Sequence, residues 1–349
     1  MSVKAVRLTA WGRQPVLADV ERPVPREAEV LVRVEAAGLC HSDVHVVDAA
    51  PGALPYRPPF TLGHEVAGHV TALGPDASGP TVGERVALYG PWGCGLCARC
   101  ASGRDNYCDR RGDLDWHGAG LGRDGGMAEY VLVPSVRHLV PIGDLAARQA
   151  APLTDAGLTS YHAVAGLRHT LGEGTTAAVI GIGGLGHLAV QILRAITPSR
   201  VLAVDIREEA LALAHRSGAH AGTLLRADTA RALRVRTGGA GVDAVLDFVG
   251  NGATLELAAG ILRPGGELAL VGSGGGQLTV RKPGFLPPGL RLSLPFWGTR
   301  PELTEVIALA RSGALHVATE EYPLSAAPEI FDRLRRGRVH GRAVLDCSS

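Results

Sequence analysis

Two patterns of apolar and polar positions divide this chain. Over residues 175–295, short continuous apolar runs alternate with amphipathic stretches, as strands and helices do in βαβ units. Thr176-Ala177-Ala178-Val179-Ile180 reads as a strand, residues 187–196 as a helix, and Val201-Leu202-Ala203-Val204-Asp205 as the next strand. Residues 207–217, 227–237 and 254–262 then read as helices, and 242–248 and 267–272 as strands. The expectation is a doubly wound parallel sheet. Before residue 153 the pattern is different: short alternating runs broken by Pro and Gly. Residues 3–9, 29–37, 61–70, 83–90 and 125–133 read as strands there, 15–25 and 51–59 as loops, and 146–151 as a helix. From residue 296 the mixed pattern returns, with helices at 302–312 and 327–336 and a short strand at 343–345. The tail is expected to rejoin the first domain. That gives a mainly-β domain from 1–153 and 296–349, and an α/β domain from 154–295.

Composition narrows the class. At 349 residues the chain is long enough for two sizeable cores. A 46% hydrophobic share, 47 glycines and little aromatic mass suit Val/Ala/Leu strands joined by tight turns. A net charge of +1 offers no electrostatic argument for nucleic acid or an anionic membrane. The basic run 333–338 closes a helical segment, where cations suit the C-terminal dipole. No apolar stretch reaches membrane-spanning length, and Met1-Ser2-Val3-Lys4 opens no signal peptide, so a cytoplasmic protein is expected. In that compartment six cysteines point to metal or catalysis before disulfides.

The densest chemistry is Cys40-His41-Ser42-Asp43-Val44-His45, placed where the strand ending at Gly38 gives way to a short helix. It offers a soft metal ligand, a hydroxyl and two imidazoles. A lone thiol there would more often be core filling. His64-Glu65 with His69 imitates a zinc-protease helix, but the second His falls one position too far and the valines and Gly68 argue strand. His64 and Glu65 remain candidate ligands, while His69 reads as structural or exposed. Cys94, Cys97, Cys100 and Cys108 form C-x-x-C-x-x-C-x7-C in a lobe of about residues 91–112. Four soft ligands leave no open coordination position, so a structural zinc is expected. An iron–sulfur cluster also takes four thiolates, but with other spacings. Asp155, in an apolar helix-like segment, reads locally as an N-cap. Tyr56, in the 51–59 loop, suits a pocket wall or ordinary packing equally.

Gly181-Ile182-Gly183-Gly184-Leu185-Gly186 follows a strand and opens a helix, and Asp205 ends the next strand. In that order the G-x-G-x-x-G turn is a dinucleotide fingerprint. The glycines admit a pyrophosphate and the helix N-terminus supplies N–H groups. Asp205 would take ribose hydroxyls and repel a 2′-phosphate, which favours NAD over NADP; nearby Arg207 softens that preference.

Together these motifs resemble the zinc-dependent medium-chain alcohol dehydrogenases over nearly the whole chain. The resemblance rests on Gly63-His64-Glu65-x-x-Gly68 with Gly74 and Ala77, on the four-cysteine lobe and on the Gly181 turn. Tyr89-Gly90-Pro91-Trp92-Gly93-Cys94-Gly95 and the run from Ala151 to Thr159 are similar to the bacterial NAD-dependent secondary alcohol dehydrogenases. It implies a Rossmann domain beside a GroES-like catalytic domain, and an oxidoreductase interconverting secondary alcohols and ketones, with primary alcohols and aldehydes also in range. It further implies that Cys40, His64 and Asp155 bind a catalytic zinc, which replaces the N-cap reading of Asp155. Many relatives carry Cys at that position. Glu65 becomes a transient ligand, and Ser42 and His45 a proton relay. His41, Thr159, Gly181, Ile182, Gly183, Gly184, Leu185, Gly186, Asp205, Phe248, Val271 and Arg342 become coenzyme contacts, Arg342 at the pyrophosphate. Tyr56 and Trp297 become pocket walls. Two zinc ions per chain, NAD(H), and a homodimer or homotetramer joined through edge strands complete the implication. Three alternatives stay open: a polyol, aromatic-alcohol or aldehyde dehydrogenase of the same family; a zinc-free enoyl or quinone reductase; and a coenzyme-binding regulatory protein without turnover.

Overall fold

A computed structural model describes residues 1–348 of the chain. They form two compact units, one of residues 1–158 with 297–348 and one of residues 159–296. The expected boundary at 153/154 lies earlier, and the shift keeps Asp155 in the first unit.

In the first unit the strand Val30–Leu39 is the spine. Nearly every residue on it is buried, with Arg33 turned out. A strand flanked on both sides must satisfy two ladders, and this one pairs antiparallel with Glu65–Leu73, Tyr130–Val133 and Arg342–Asp346. The sheet continues through Arg85–Leu88 to Leu139–Pro141 at one edge and ends at Thr319–Pro323 at the other. The tail therefore supplies two strands to this sheet. A smaller sheet runs Val16–Glu21, Ser2–Leu8, Phe60–Thr61. Val16–Glu21 corrects the expected loop at 15–25. Its prolines lie outside the paired residues, and its largely exposed side chains carry no core stripe for a periodicity argument to detect.

The second unit is a six-stranded parallel sheet in the order Ala221–Leu224, Arg200–Asp205, Thr176–Ile180, Val242–Asp247, Leu262–Leu270, Arg291–Ser293. The order reverses at Thr176–Ile180, where doubly wound sheets bind ligands beyond their strand ends. That strand is buried throughout, as both-face coverage by helices requires. Ala178, Ile180, Leu202, Val204, Val245 and Leu268 share one core with the inner face of helix Gly252–Ile261. The edge strands Ala221–Leu224 and Arg291–Ser293 were not foreseen: each is too short to show a period, and the second is exposed throughout. Among the described residues no helix is long and apolar enough to cross a membrane.

Candidate active site

The spine strand ends at Cys40, whose extended backbone caps the helix His41–Val47. Asp43 closes that cap, accepting the Cys40 N–H on Oδ2 at 2.9 Å. Its other oxygen lies 3.1 Å from His64 Nδ1, both side chains being fully buried. A carboxylate only accepts, so Nδ1 carries a proton and Nε2 is the nitrogen left for a metal, which would displace any proton there. His64 Nε2 has no hydrogen-bond partner. It lies 3.6 Å from Asp155 Oδ2, which lies 3.4 Å from Cys40 Sγ. The three donor atoms fall within 4.8 Å of one another. Burial pulls the His64 pKa down, but Asp43 and Asp155 outweigh it and hold it well above the ordinary imidazole value. A buried thiol, carboxylate and partnerless imidazole nitrogen facing one point fit a divalent cation with a position to spare. The expected trio Cys40, His64 and Asp155 is thus brought together.

Asp155 does not cap a helix. It sits in a π turn, Leu153–Gly157, between the helices Ala147–Pro152 and Leu158–Gly166. Widened turns of this kind recur at functional positions. Glu65 stands behind it: Oε1 accepts the Ala156 N–H at 3.0 Å and Oε2 accepts Arg342 Nε at 2.8 Å. Arg342 Nη2 also reaches Asp155 Oδ2 at 3.4 Å. Burial raises the Glu65 pKa and Asp155 adds to the rise, against the pull of Arg342, leaving it at about 7. Gly38 faces Glu65 in register, and a Cβ there would sit 1.9 Å from Glu65 Oε2. The strand therefore needs glycine where the carboxylate crosses it.

Trp297 is buried, its ring edge-on to His64 at 5.6 Å. Tyr56 is buried among Trp11, Phe60 and His117, and burial pushes its phenol up to about 12. Ser42 Oγ lies 3.6 Å from Cys40 Sγ; Ser42, His41 and His45 are exposed on the helix. His69 is half-buried and bonded to Glu35, and Cys347 is a buried free thiol.

The lobe is built locally. Cys94 Sγ and Cys100 Sγ lie 4.0 Å apart, as do Cys97 Sγ and Cys108 Sγ. Zinc–sulfur bonds of about 2.3 Å at tetrahedral corners would place sulfurs about 3.8 Å apart, so the cage has the right size. The N–H groups of Leu96 and Cys97 point at Cys94 Sγ, both at 3.4 Å, and draw that thiol down to about 6. Arg111 ties the lobe to its surroundings through the carbonyls of Trp92, Asp105 and His117.

In the second unit, Gly181–Leu185 turns from Thr176–Ile180 into the helix Gly186–Ile196. Asp205 braces the turn: Oδ2 accepts the Ile182 N–H at 2.7 Å and Oδ1 accepts the Arg207 N–H at 3.0 Å. Arg207 Nε lies 3.6 Å from the same oxygen. A Cβ at Gly186 would sit 1.9 Å from the Gly181 carbonyl, so the tight turn excludes any side chain there. Gly183, Gly184, Phe248 and Val271 stand at or just beyond the strand ends, Phe248 bonded to Ile180 and Val271 to Asp247 through their N–H groups. Thr159 is buried at the start of this unit.

Two roles escaped the sequence reading. Asp43 was not singled out, although Cys40-x-x-Asp43 has capping-box spacing. Arg342 was expected only at a pyrophosphate, and its pairing with Glu65 had no local signal.

Two family models match the chain: an alcohol dehydrogenase GroES-like domain over residues 26–144 and a zinc-binding dehydrogenase domain over residues 184–312. An NAD-dependent alcohol dehydrogenase of Sulfurisphaera tokodaii is 35% identical, covering 98% of this chain and 99% of its own length. Among solved structures, the alcohol dehydrogenase of Aeropyrum pernix is 35% identical with a TM-score of 0.91, covering 98% and 99%. An acetophenone reductase from Geotrichum candidum, solved with NAD, is 32% identical with a TM-score of 0.87, covering 99% and 98%.

Proposed function

The chain belongs to the zinc-dependent medium-chain alcohol dehydrogenases, and from that premise we propose how its residues divide the work. It is an NAD-dependent oxidoreductase with two zinc ions per chain. Its substrates, on this reading, are secondary alcohols and their ketones. The observation that carries the site assignment is the buried, partnerless Nε2 of His64 facing the Cys40 thiol and the Asp155 carboxylate.

A zinc held by the Cys40 trio would supply Lewis acidity toward a hydroxyl, and NAD at the glycine turn would supply a hydride acceptor. The chain's own residues do the rest. Cys40, His64 and Asp155 would hold the metal. Asp43 keeps His64 in the tautomer that offers Nε2. Ser42 takes the hydroxyl proton and His45, exposed on the same helix, passes it to solvent. Trp297 and Tyr56 wall the pocket with apolar surface, suited to the second carbon substituent of a secondary alcohol. Glu65, pushed to about 7, is the transient ligand or the counter-charge of Arg342. The Gly181–Gly186 turn and Asp205 take the pyrophosphate and ribose, with His41, Thr159, Phe248, Val271 and Arg342 completing the coenzyme contacts. Asp205 favours NAD over its 2′-phosphorylated form. Cys94, Cys97, Cys100 and Cys108 hold the structural zinc.

The exposed edge strand Arg291–Ser293, with Leu292 and Leu294 open to solvent, supports a homo-oligomer joined there. Light scattering on Leu292→Lys checks this: smaller particles than wild type support it, unchanged ones remove this edge. A cytoplasmic location is part of the same reading, supported by six unpaired cysteines, five of them in the two ligand sets. The function is tested by initial rates of NAD reduction with a matched primary and secondary alkanol on protein holding both metals. Faster turnover of the secondary alcohol is expected. A faster primary alkanol removes the secondary preference, and activity with neither directs the search to polyols and aldehydes.

A further inference from the structure

We propose that Trp297 is a positioning residue for the third metal ligand, acting through the backbone on either side of Asp155 rather than only as a pocket wall. The inference rests on Cys40, His64 and Asp155 being the catalytic metal site.

Asp155 lies in the middle of the π turn Leu153–Gly157. Such a turn carries the backbone out of α-helical register, so its peptide groups cannot all find their usual partners along the helix. Both peptide groups next to Asp155 are instead held by side chains from distant positions. The Thr154 carbonyl accepts the Trp297 indole N–H at 3.1 Å, and the Ala156 N–H donates to Glu65 Oε1 at 3.0 Å. Both bonds are buried. One strap pulls on the peptide before the ligand and the other on the peptide after it.

The consequence follows from the length of the side chain. Aspartate has one methylene, so its carboxylate follows the backbone almost rigidly. Its Oδ2 already lies 3.4 Å from Cys40 Sγ and 3.6 Å from His64 Nε2. A few tenths of an ångström at the turn would carry the oxygen out of the common ligand sphere, because metal–ligand distances tolerate only about 0.2 Å.

Trp297 itself is held for the task. Its backbone is left-handed at φ +54, one of two non-glycine residues so placed among the described residues. That conformation is unfavourable for a bulky residue and persists only where its surroundings enforce it. Gly90 gives the ring room, since a Cβ there would sit 2.3 Å from a ring atom, and His64 meets the ring edge-on. The indole thus touches one ligand and, through Thr154, sets the backbone of another.

Trp297→Phe separates the strap from the wall, because it keeps an aromatic ring and deletes the N–H. Wild type and variant are loaded with cobalt(II), and the visible bands of the two sites and their loss to EDTA are followed. The expected result is a shifted band for the Cys40 site and about tenfold weaker metal retention there, the lower end of what outer hydrogen bonds give. The four-cysteine metal should hold, which separates a local change from a general loosening of the unit. Unchanged bands and retention overturn the proposal, and so does equal loosening of both sites. Should Trp297→Phe not fold, benzothienylalanine at position 297 gives the same test, its sulfur replacing the indole N–H in the same shape. Wild-type protein that takes up cobalt only at the four-cysteine lobe overturns the reading of the Cys40 site itself, an outcome distinct from either variant result.

Discussion

The two clusters of the first unit that could hold a metal are built by opposite means. The lobe takes its four thiols from Cys94 to Cys108 and its electrostatics from its own loop, whose N–H groups point at the sulfurs. The Cys40 cluster draws its groups from three separate places, and two of the three lean on residues remote from them in sequence. His64 leans on Asp43, and Asp155 on Glu65, Arg342 and Trp297. A cage made by one loop organises itself around its metal, so its main product is stability. A site assembled across a sheet needs the folded unit first, and its geometry can be tuned for chemistry one support at a time.

The contrast breaks most visibly in a crossed pair of variants. Cys97→Ala should cost stability, about 4 kcal/mol or more as loss of a structural metal does, while protein kept folded in the cold still turns over. His64→Ala should strike turnover instead, lowering it by about a thousandfold or more while the lobe keeps its metal; the buried Asp43 carboxylate left without its partner also costs stability. Calorimetry and initial rates on both proteins decide it. If Cys97→Ala is fully stable yet short of metal, the lobe is not what stabilises the unit.

A finer test asks whether the supports matter as much as the ligands. Asp43→Asn keeps the shape and the Cys40 cap acceptor but weakens the hold on the His64 tautomer. Metal affinity at that site should fall about tenfold to a hundredfold, with no change in the lobe. Titration against a chelator measures both. Equal affinity in wild type and variant would make the carboxylate a helix cap and nothing more.

The same contrast explains what could be read in advance. The lobe was legible because all its ligands fall in one short window with metal spacing. The Gly181 turn was legible because strand, turn, helix and Asp205 come in chain order. Single residues such as Asp155 were not: its local sequence suggested a cap, and resemblance to a family, not physics, nominated it as a ligand. Its supports were invisible because Arg342 and Trp297 lie far along the chain and meet Glu65 and Thr154 only through the pairing of sheet strands and the return of the tail. For the fold, the long buried strands announced themselves, while Val16–Glu21 and Ala221–Leu224 did not, being short and partly or largely exposed.

The smallest expected effect lies at the rim of the Cys40 site, where Ser42 and His45 are exposed on a single helix turn. Neither supports a ligand the way Asp43 does, so His45→Gln should leave both metals bound. If His45 carries the proton away, its loss matters most where water is the poorest acceptor. Alcohol oxidation should fall about tenfold, below the usual range for general-base loss because solvent can substitute, and the deficit should be greatest at low pH and shrink as hydroxide takes over. Rates across pH, with metal content checked at each point, measure this. A profile that drops evenly at every pH would mean that His45 shapes the helix end rather than moving a proton. An unchanged profile would leave Ser42 to hand its proton directly to solvent, and the chemistry of this site would then end at the helix N-terminus.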